Sequence, residues 1–349
     1  MKKILSIIIP TYNMEKYLRK CLDSLIVSDE NMQLLEVLVI NDGSKDSSSQ
    51  IAHEYETKFS QTFRVIDKEN GNYGSCVNRG LKEATGKYVK VLDADDYFVR
   101  EVFDEYVNRL NNMREDVDLV LTDYSQIDEY GKTTLTSKFT HYLPVGSVFT
   151  LNKLAESPEM MRSLIHQNIT YKTKNLVQMN YRQTEGISYT DNEWVFMPSI
   201  AVNKICYFPC NFYVYLIGRE GQTFDPKVFF KSYGQRGIVM LSMVDYYSKN
   251  YDTCSSSSKV FMKARLIARL GDFYYYHLCI NGSKGSCETL LSFETNLKLK
   301  CPDVFEELNN VSNKMKIHYI RSWRKSNYNE HLLILRILRA KDFLKSLTR

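Results

Sequence analysis

No apolar run in this 349-residue sequence reaches the roughly 18 to 20 residues that a membrane-spanning helix needs, so an integral membrane protein is not expected. The eight cysteines, at 21, 76, 206, 210, 254, 279, 287 and 301, include no C-x-x-C pair. The six histidines fall outside ligand spacing, which argues against a zinc site. Free thiols in a reducing cytoplasm are expected instead. Charge of one sign is also scarce. With 46 basic and 41 acidic side chains the net of +5 is too small to imply nucleic acid or a membrane by itself, and no nucleic-acid motif is present. There is no internal repeat, no G-x-G-x-x-G after the first apolar run as a dehydrogenase would need, and no glycine-rich N-terminal loop with a following arginine as a nucleotidyltransferase would need.

What is present is an ordinary globular balance, 44% hydrophobic and 25% charged, which excludes a largely disordered chain. Length allows one large domain with a smaller one, or two moderate domains. The opening Met1-Lys2-Lys3 and Ile4 to Ile9 mimic a signal peptide, but Pro10 cuts the run short and no small-residue cleavage site follows, so a buried strand is predicted.

The first hundred residues alternate between short apolar runs and helical spacing. Strands are predicted at 4–9, 34–40, 63–67 and 87–92. Helices are predicted at 15–28, after Asp46 or Ser47, and at 74–85, with Gly86 as a helix stop. This order implies a parallel sheet flanked by helices, whose ligands sit at the carboxyl ends of the strands. A further strand is predicted at 119–122 and antiparallel strands within 129–149. Beyond Pro226 long amphipathic helices take over, at 229–247 and 259–279, which puts a domain boundary near 225.

Polar clusters stand at the predicted strand ends. In Asp93-Ala94-Asp95-Asp96 three carboxylates within four residues repel one another unless a cation or solvent screens them, so a divalent-metal site is one reading and a solvated helix-capping turn the other. Oxygen ligands of this kind suit Mg²⁺ or Mn²⁺.

Four motifs, Ile7-Ile8-Ile9-Pro10-Thr11-Tyr12-Asn13, Val39-Ile40-Asn41-Asp42-Gly43-Ser44, Asn78-Arg79-Gly80 with Ala84 and Gly86, and Leu92-Asp93-Ala94-Asp95-Asp96, resemble in order and spacing the nucleotide-sugar domain of family 2 glycosyltransferases. The resemblance covers residues 1 to 125 strongly and reaches loosely to about 220. It implies a glycosyltransferase A fold, an α/β architecture with a Rossmann-like, mostly parallel sheet flanked by helices, over 1–225, followed by a helical region over 226–349 with a basic amphipathic tail. Carried over by position, it implies that Pro10, Thr11 and Tyr12 line a nucleobase pocket and that Asp42 accepts from the N–H of a uracil. Gly43 and Ser44 let the backbone approach, Asn78 and Ala94 complete the nucleotide site, Asp93 contacts the ribose, and Asp95 with Asp96 holds Mn²⁺ or Mg²⁺ against the diphosphate. Lys68 and Arg79 stand where they could approach phosphates. One departure is Val77, where many relatives carry arginine.

Sugar transfer needs a base for the incoming hydroxyl. Tyr189-Thr190-Asp191-Asn192-Glu193-Trp194-Val195-Phe196 resembles the family's base motif, with Asp191 as base and Glu193 as fallback; a plain N-cap is the other reading of Asp191. No second nucleophilic carboxylate is evident, so direct displacement with inversion is implied. Tyr215 to Thr223, with Arg219 and Gln222, resembles a loop that closes over the diphosphate or acceptor. No Q-x-x-R-W motif accompanies it, which argues against a processive polymerase.

From Lys316 to Arg349 there are nine Lys or Arg against two acids. Leu332, Leu335, Leu338, Phe343, Leu344 and Leu347 form an apolar stripe among Arg336, Arg339, Lys341 and Lys345, as in a helix lying on an anionic membrane surface or one packed on the enzyme. The expectation is a metal-dependent hexosyl- or N-acetylhexosaminyl-transferase, cytoplasmic and at the inner face of the plasma membrane. Its donor is a UDP-sugar, its acceptor a glycan or polyprenyl-linked saccharide, and nucleic acid is no partner. A non-catalytic nucleotide-sugar or glycan-binding protein is the alternative.

Overall fold

The computed structural model of the chain describes residues 2–219, 221–222, 226–281, 284–329 and 331–346, with side chains except at 226–232, 284 and 342–346. Thr223 and Leu347, and the side chains of Phe343, Leu344 and Lys345, therefore lie outside the described residues. Two compact units are present, Met1–Gln235 and Arg236–Arg349.

In the first unit the strands are β1 (Leu5–Thr11), β2 (Leu35–Asn41), β3 (Phe63–Asp67), β4 (Tyr88–Val91), β5 (Tyr97–Phe98), β6 (Leu119–Ile127), β7 (Thr133–Ser137), β8 (Ile169–Lys172) and β9 (Ile205–Leu216). The helices are α1 (Glu15–Asp23), α2 (Asp29–Leu34), α3 (Ser48–Lys58), α4 (Asn72–Glu83), α5 (Arg100–Asn111), α6 (Leu151–Ala155), α7 (Pro158–Ser163), α8 (Thr173–Gln178) and α9 (Asp191–Phe196). Among the described residues the strands form one sheet in the order β3-β2-β1-β4-β8-β6-β9-β5, with β7 on β6. The half from β3 to β4 is parallel, whereas β8 runs antiparallel to both β4 and β6, and β9 is parallel to β6. The sheet is thus mixed rather than parallel throughout.

Ile7, Ile8 and Ile9 are fully buried, as a central strand covered on both faces requires. Pro10 does not end β1. The carbonyl of Ile8 accepts from Leu92 N at 2.9 Å, and the β4 pairing stops there, so Pro10, facing the same side two residues on, lacks an N–H where no ladder partner stands. Nor is Gly86 the stop of α4, which ends at an extended Ala84. A Cβ on Gly86 would come within 2.5 Å of Ser6 N, so this glycine lets the entry to β4 lie against β1. The Asp46 carboxylate, rather than Ser47, accepts from the first amide of α3, Ser48 N, at 3.0 Å. Between 129 and 149 the described strand content reduces to β7 and a bridge from Phe149 to Ile205.

The second unit holds the helices α10 (Pro226–Asn250), α11 (Ser256–Tyr275), α12 (Lys284–Lys300), α13 (Pro302–Glu307), α14 (Tyr319–Lys325) and α15 (Leu333–Ser346), the first of them starting within the first unit. Its core includes Phe273, Tyr274, Leu290 and Trp323 around a buried ion pair, Arg324 with Glu294 at 2.6 Å, whose carboxylate also accepts from Tyr274. Of the predicted apolar stripe, Leu335 and Leu338 are buried and Leu332 half-buried, as in a helix packed on the protein, whereas the exposed apolar residues of α15, Leu333 and Ile337, lie outside that stripe. Among the described residues no helix is long and apolar enough to cross a membrane.

Candidate active site

Strand β4 delivers its carboxyl end into the turn Asp93-Ala94-Asp95-Asp96, closed by Asp96 N donating to Asp93 O at 2.9 Å with Ala94 buried inside. One oxygen from each of the three aspartates falls within 4.8 Å of the others. Asp93 accepts from Tyr73 Oη at 3.0 Å and meets His166 Nε2 at 3.0 Å. Asp95 is paired with the Arg219 guanidinium. Asp96 is 1% exposed and accepts from Tyr213 Oη at 2.7 Å and Leu216 N at 2.8 Å. It contributes an oxygen to the cluster, but both its oxygens also anchor the turn to β9.

Electrostatics separates the three acids. Burial pushes Asp96 well up, and the charges of Asp95 and Asp93 push the same way. Burial also raises Asp95, against the pull of Arg219. For Asp93 burial is outweighed by His166, and its carboxyl is held below the ordinary value. Three hard carboxylate donors at one strand mouth, relieved here by a guanidinium and an imidazole, are the donor set that Mg²⁺ or Mn²⁺ takes.

Asp191 is the first residue of α9, with Thr190 in the cap position. Its charge acts on His166 and Tyr73, the two groups bonded to Asp93, and on Tyr215. For His166, burial opposes protonation, but Asp93, with Asp191 behind it, wins and raises the imidazole. Asp191, far away in sequence, therefore lies within electrostatic reach of the two side chains that hold Asp93. The fallback Glu193 is corrected: it is fully buried, and its oxygens accept from Thr184 N and Thr184 Oγ1, each at 2.7 Å.

The Asn41-Asp42-Gly43-Ser44 turn follows β2, with Gly43 at φ +72. Beside it a cleft of about 470 Å³ is lined by Tyr12, Asn41, Gly43, Asp67, Lys68 and Asn70 among others. Tyr12 is 44% exposed there, while Thr11 is buried. Asp42 is itself buried, paired with Lys68 and accepting from Gly71 N at 2.9 Å and Asn72 N at 2.8 Å. The Cys76 thiol bonds it as well, so the four acceptor sites of this carboxylate are taken by the protein, and Asp42 is not among the residues that line the cleft. Ser44 Oγ accepts from Asn13 N at 3.0 Å and holds the two turns together.

Several expected contacts are spent on protein groups. Asn78 donates to Gln183 O and Glu185 Oε1 and accepts from Gln183 N, each at 2.8 Å, so it holds the segment before α9. Gln222 folds back, its amide donating to Leu216 O at 2.7 Å and accepting from Gly218 N at 2.9 Å. Arg79 pairs with Glu83 at 3.0 Å. Sequence reasoning missed His166, a lone histidine in a segment without periodicity. It also missed buried Lys90, whose Nζ donates to Gln167 O at 2.6 Å and Ile169 O at 3.2 Å and so fixes the short turn that presents His166.

An α/β domain with an acid turn at a strand's carboxyl end beside a cleft of nucleobase size defines the class: a domain built for a nucleotide-linked ligand. Residues 6–173, just under half of the chain, match Glycosyl transferase family 2. An uncharacterised glycosyltransferase of Mycoplasma genitalium is 30% identical over 184 residues, which is 48% of this chain and 60% of the relative. The matched stretches cover 22% and 34% of two further relatives, so this chain aligns with less than two thirds of each. In fold, S. aureus TarS 1-349, solved in complex with UDP-GlcNAc, covers 98% of this chain and 92% of its own at a TM-score of 0.70 and 20% identity. The mannosyltransferase PcManGT from Pyrobaculum calidifontis, in complex with GDP-Man and Mn²⁺, covers 94% and 88% at 0.51 and 16% identity.

Proposed function

We propose that the protein transfers a sugar, with inversion, from a UDP-sugar to a hydroxyl of a glycan or lipid-linked glycan, with the help of a divalent cation. What supports this reading is the Asp93 to Asp96 turn, whose three carboxylates lie within 4.8 Å of one another and whose partners His166 and Tyr73 lie within electrostatic reach of Asp191. The nucleobase enters the cleft over Tyr12, beside the turn that Asp42 braces through Lys68 and the Gly71 and Asn72 amides, and Asp93 takes a ribose hydroxyl. Asp95, with Asp93 and Asp96, would hold Mn²⁺ or Mg²⁺, which when bound would neutralise the charge on the departing diphosphate. Asp191 removes the acceptor proton as its oxygen bonds to the anomeric carbon, and the bond from that carbon to the phosphate oxygen breaks. Arg219, which pairs with Asp95 here, would offer its guanidinium to the phosphate oxygens of the donor. The UDP complex of TarS and the Mn²⁺ complex of PcManGT support this choice of donor and ion.

The basic second unit, with Leu333, Arg336 and Ile337 on the outer face of α15, is proposed to rest on an anionic membrane where a lipid-linked acceptor is held. A panel of nucleotide sugars with Mn²⁺, read by NMR of the sugar released or transferred, tests the activity. An anomeric configuration opposite to the donor's is expected. Tight UDP-sugar binding without turnover, across the panel and with glycan acceptors, would favour a binding protein instead.

A further inference from the structure

Ahead of α9, buried Gln183 and half-buried Thr184 form a rail. Gln183 Nε2 donates to Thr190 Oγ1 at 2.9 Å, and Thr184 gives its amide and its hydroxyl to the two oxygens of Glu193. Thr190 and Glu193 are fully buried, and Asp191 lies between them. The rail is in turn fixed to α4 by Asn78 and by a close approach that only glycine permits, because a Cβ on Gly74 would fall 2.0 Å from Thr184 O. Gly186 N donates to Gly71 O at 3.0 Å, and Gly71 N donates to Asp42. The first turn of α9 thus hangs on the nucleotide side of the domain.

We infer that Glu193 is a positioning residue for Asp191: its paired bonds to Thr184 set the pitch of the first turn of α9 and aim the Asp191 carboxylate at the acceptor hydroxyl. This rests on Asp191 being the base, as proposed above. A carboxylate with both oxygens engaged inside the fold cannot itself take the acceptor proton, yet it can hold its neighbour to the tolerance that proton transfer demands.

The test is a cycle of Glu193→Ala, Asp191→Asn and the double variant, with kcat for transfer and Kd for UDP with Mn²⁺ as readouts. Glu193→Ala is expected to lower kcat about 10- to 100-fold while the UDP Kd stays within about 2-fold. It is expected to cost nothing further on the Asp191→Asn background. Glu193→Gln, which still offers Thr184 an acceptor, is expected to recover most of the rate. Should Glu193→Ala fail to fold, Thr184→Val is judged by the same readouts. An equal loss on both backgrounds, an unchanged kcat, or a matching loss of UDP affinity overturns the inference. Full activity of Asp191→Asn would instead overturn the assignment of the base.

Discussion

Lys90 lies in a central strand, fully buried, with two backbone carbonyls and the rings of Phe212 and Tyr213 about its ammonium and, among the described residues, no carboxylate bonded to it. Burial pulls its pKa down from 10.5 to about 7. Between those values the unfolded chain carries a proton that the folded chain lacks, so the sign is fixed: stability rises with pH across that window. One pKa unit corresponds to about 1.4 kcal/mol, so going from about pH 7 to about pH 8.5 is expected to add about 2 kcal/mol to the unfolding free energy. Lys90→Met keeps the volume and removes the titration, so this increment should vanish in the variant. Urea unfolding at the two pH values supplies the assay, and with an m-value of about 2 kcal/mol/M the difference is about 1 M in midpoint. The chain has two tryptophans, Trp194 in the first unit and Trp323 in the second. A Trp323→Phe background therefore makes fluorescence report the unit that holds Lys90. Parallel pH responses of the two proteins would refute the reasoning.

Three further outcomes are expected. Asp191→Asn should keep donor affinity and lower transfer by about 10² to 10⁴, measured as single-turnover rates; equal rates would remove Asp191 from the chemistry. Arg219→Met frees Asp95 of its bound guanidinium, so Mn²⁺ affinity without nucleotide should rise by about 10-fold in a paramagnetic titration while kcat falls, and weaker Mn²⁺ binding would contradict the exchange. Gly74→Ala drives a methyl into Thr184 O and should cost about 1 to 3 kcal/mol in thermal unfolding with a larger loss in kcat than in UDP affinity; a variant unchanged in both would show the approach to be slack.

The parallel half of the sheet was legible because its apolar runs are short, continuous and bounded by turn residues, as in Ile4 to Ile9 and Phe63 to Asp67. Strand β9 was not. Its central Pro209 reads as a breaker, yet the pairing with β6 passes from Thr122 opposite Phe208 to Asp123 opposite Asn211, so Pro209 and Cys210 sit in a bulge that asks nothing of the missing N–H. The clustering of acids in the 93 to 96 turn could be read because close carboxylates are conspicuous. His166, Lys90 and Thr184 could not, since each acts through one partner remote in sequence and leaves no local period. The same cause explains Asn78 and Gln222, whose residue types suit a ligand but whose bonds close on the protein.

The account stands or falls on whether a cation joins the acids of the 93 to 96 turn to a diphosphate. Calorimetric titration of the intact protein with UDP, with and without Mn²⁺, measures this most directly. Binding at least about 10-fold tighter with Mn²⁺, and loss of that gain in Asp95→Ala, is the expected result. Equal affinity with and without the ion, or an unchanged gain in Asp95→Ala, would contradict it.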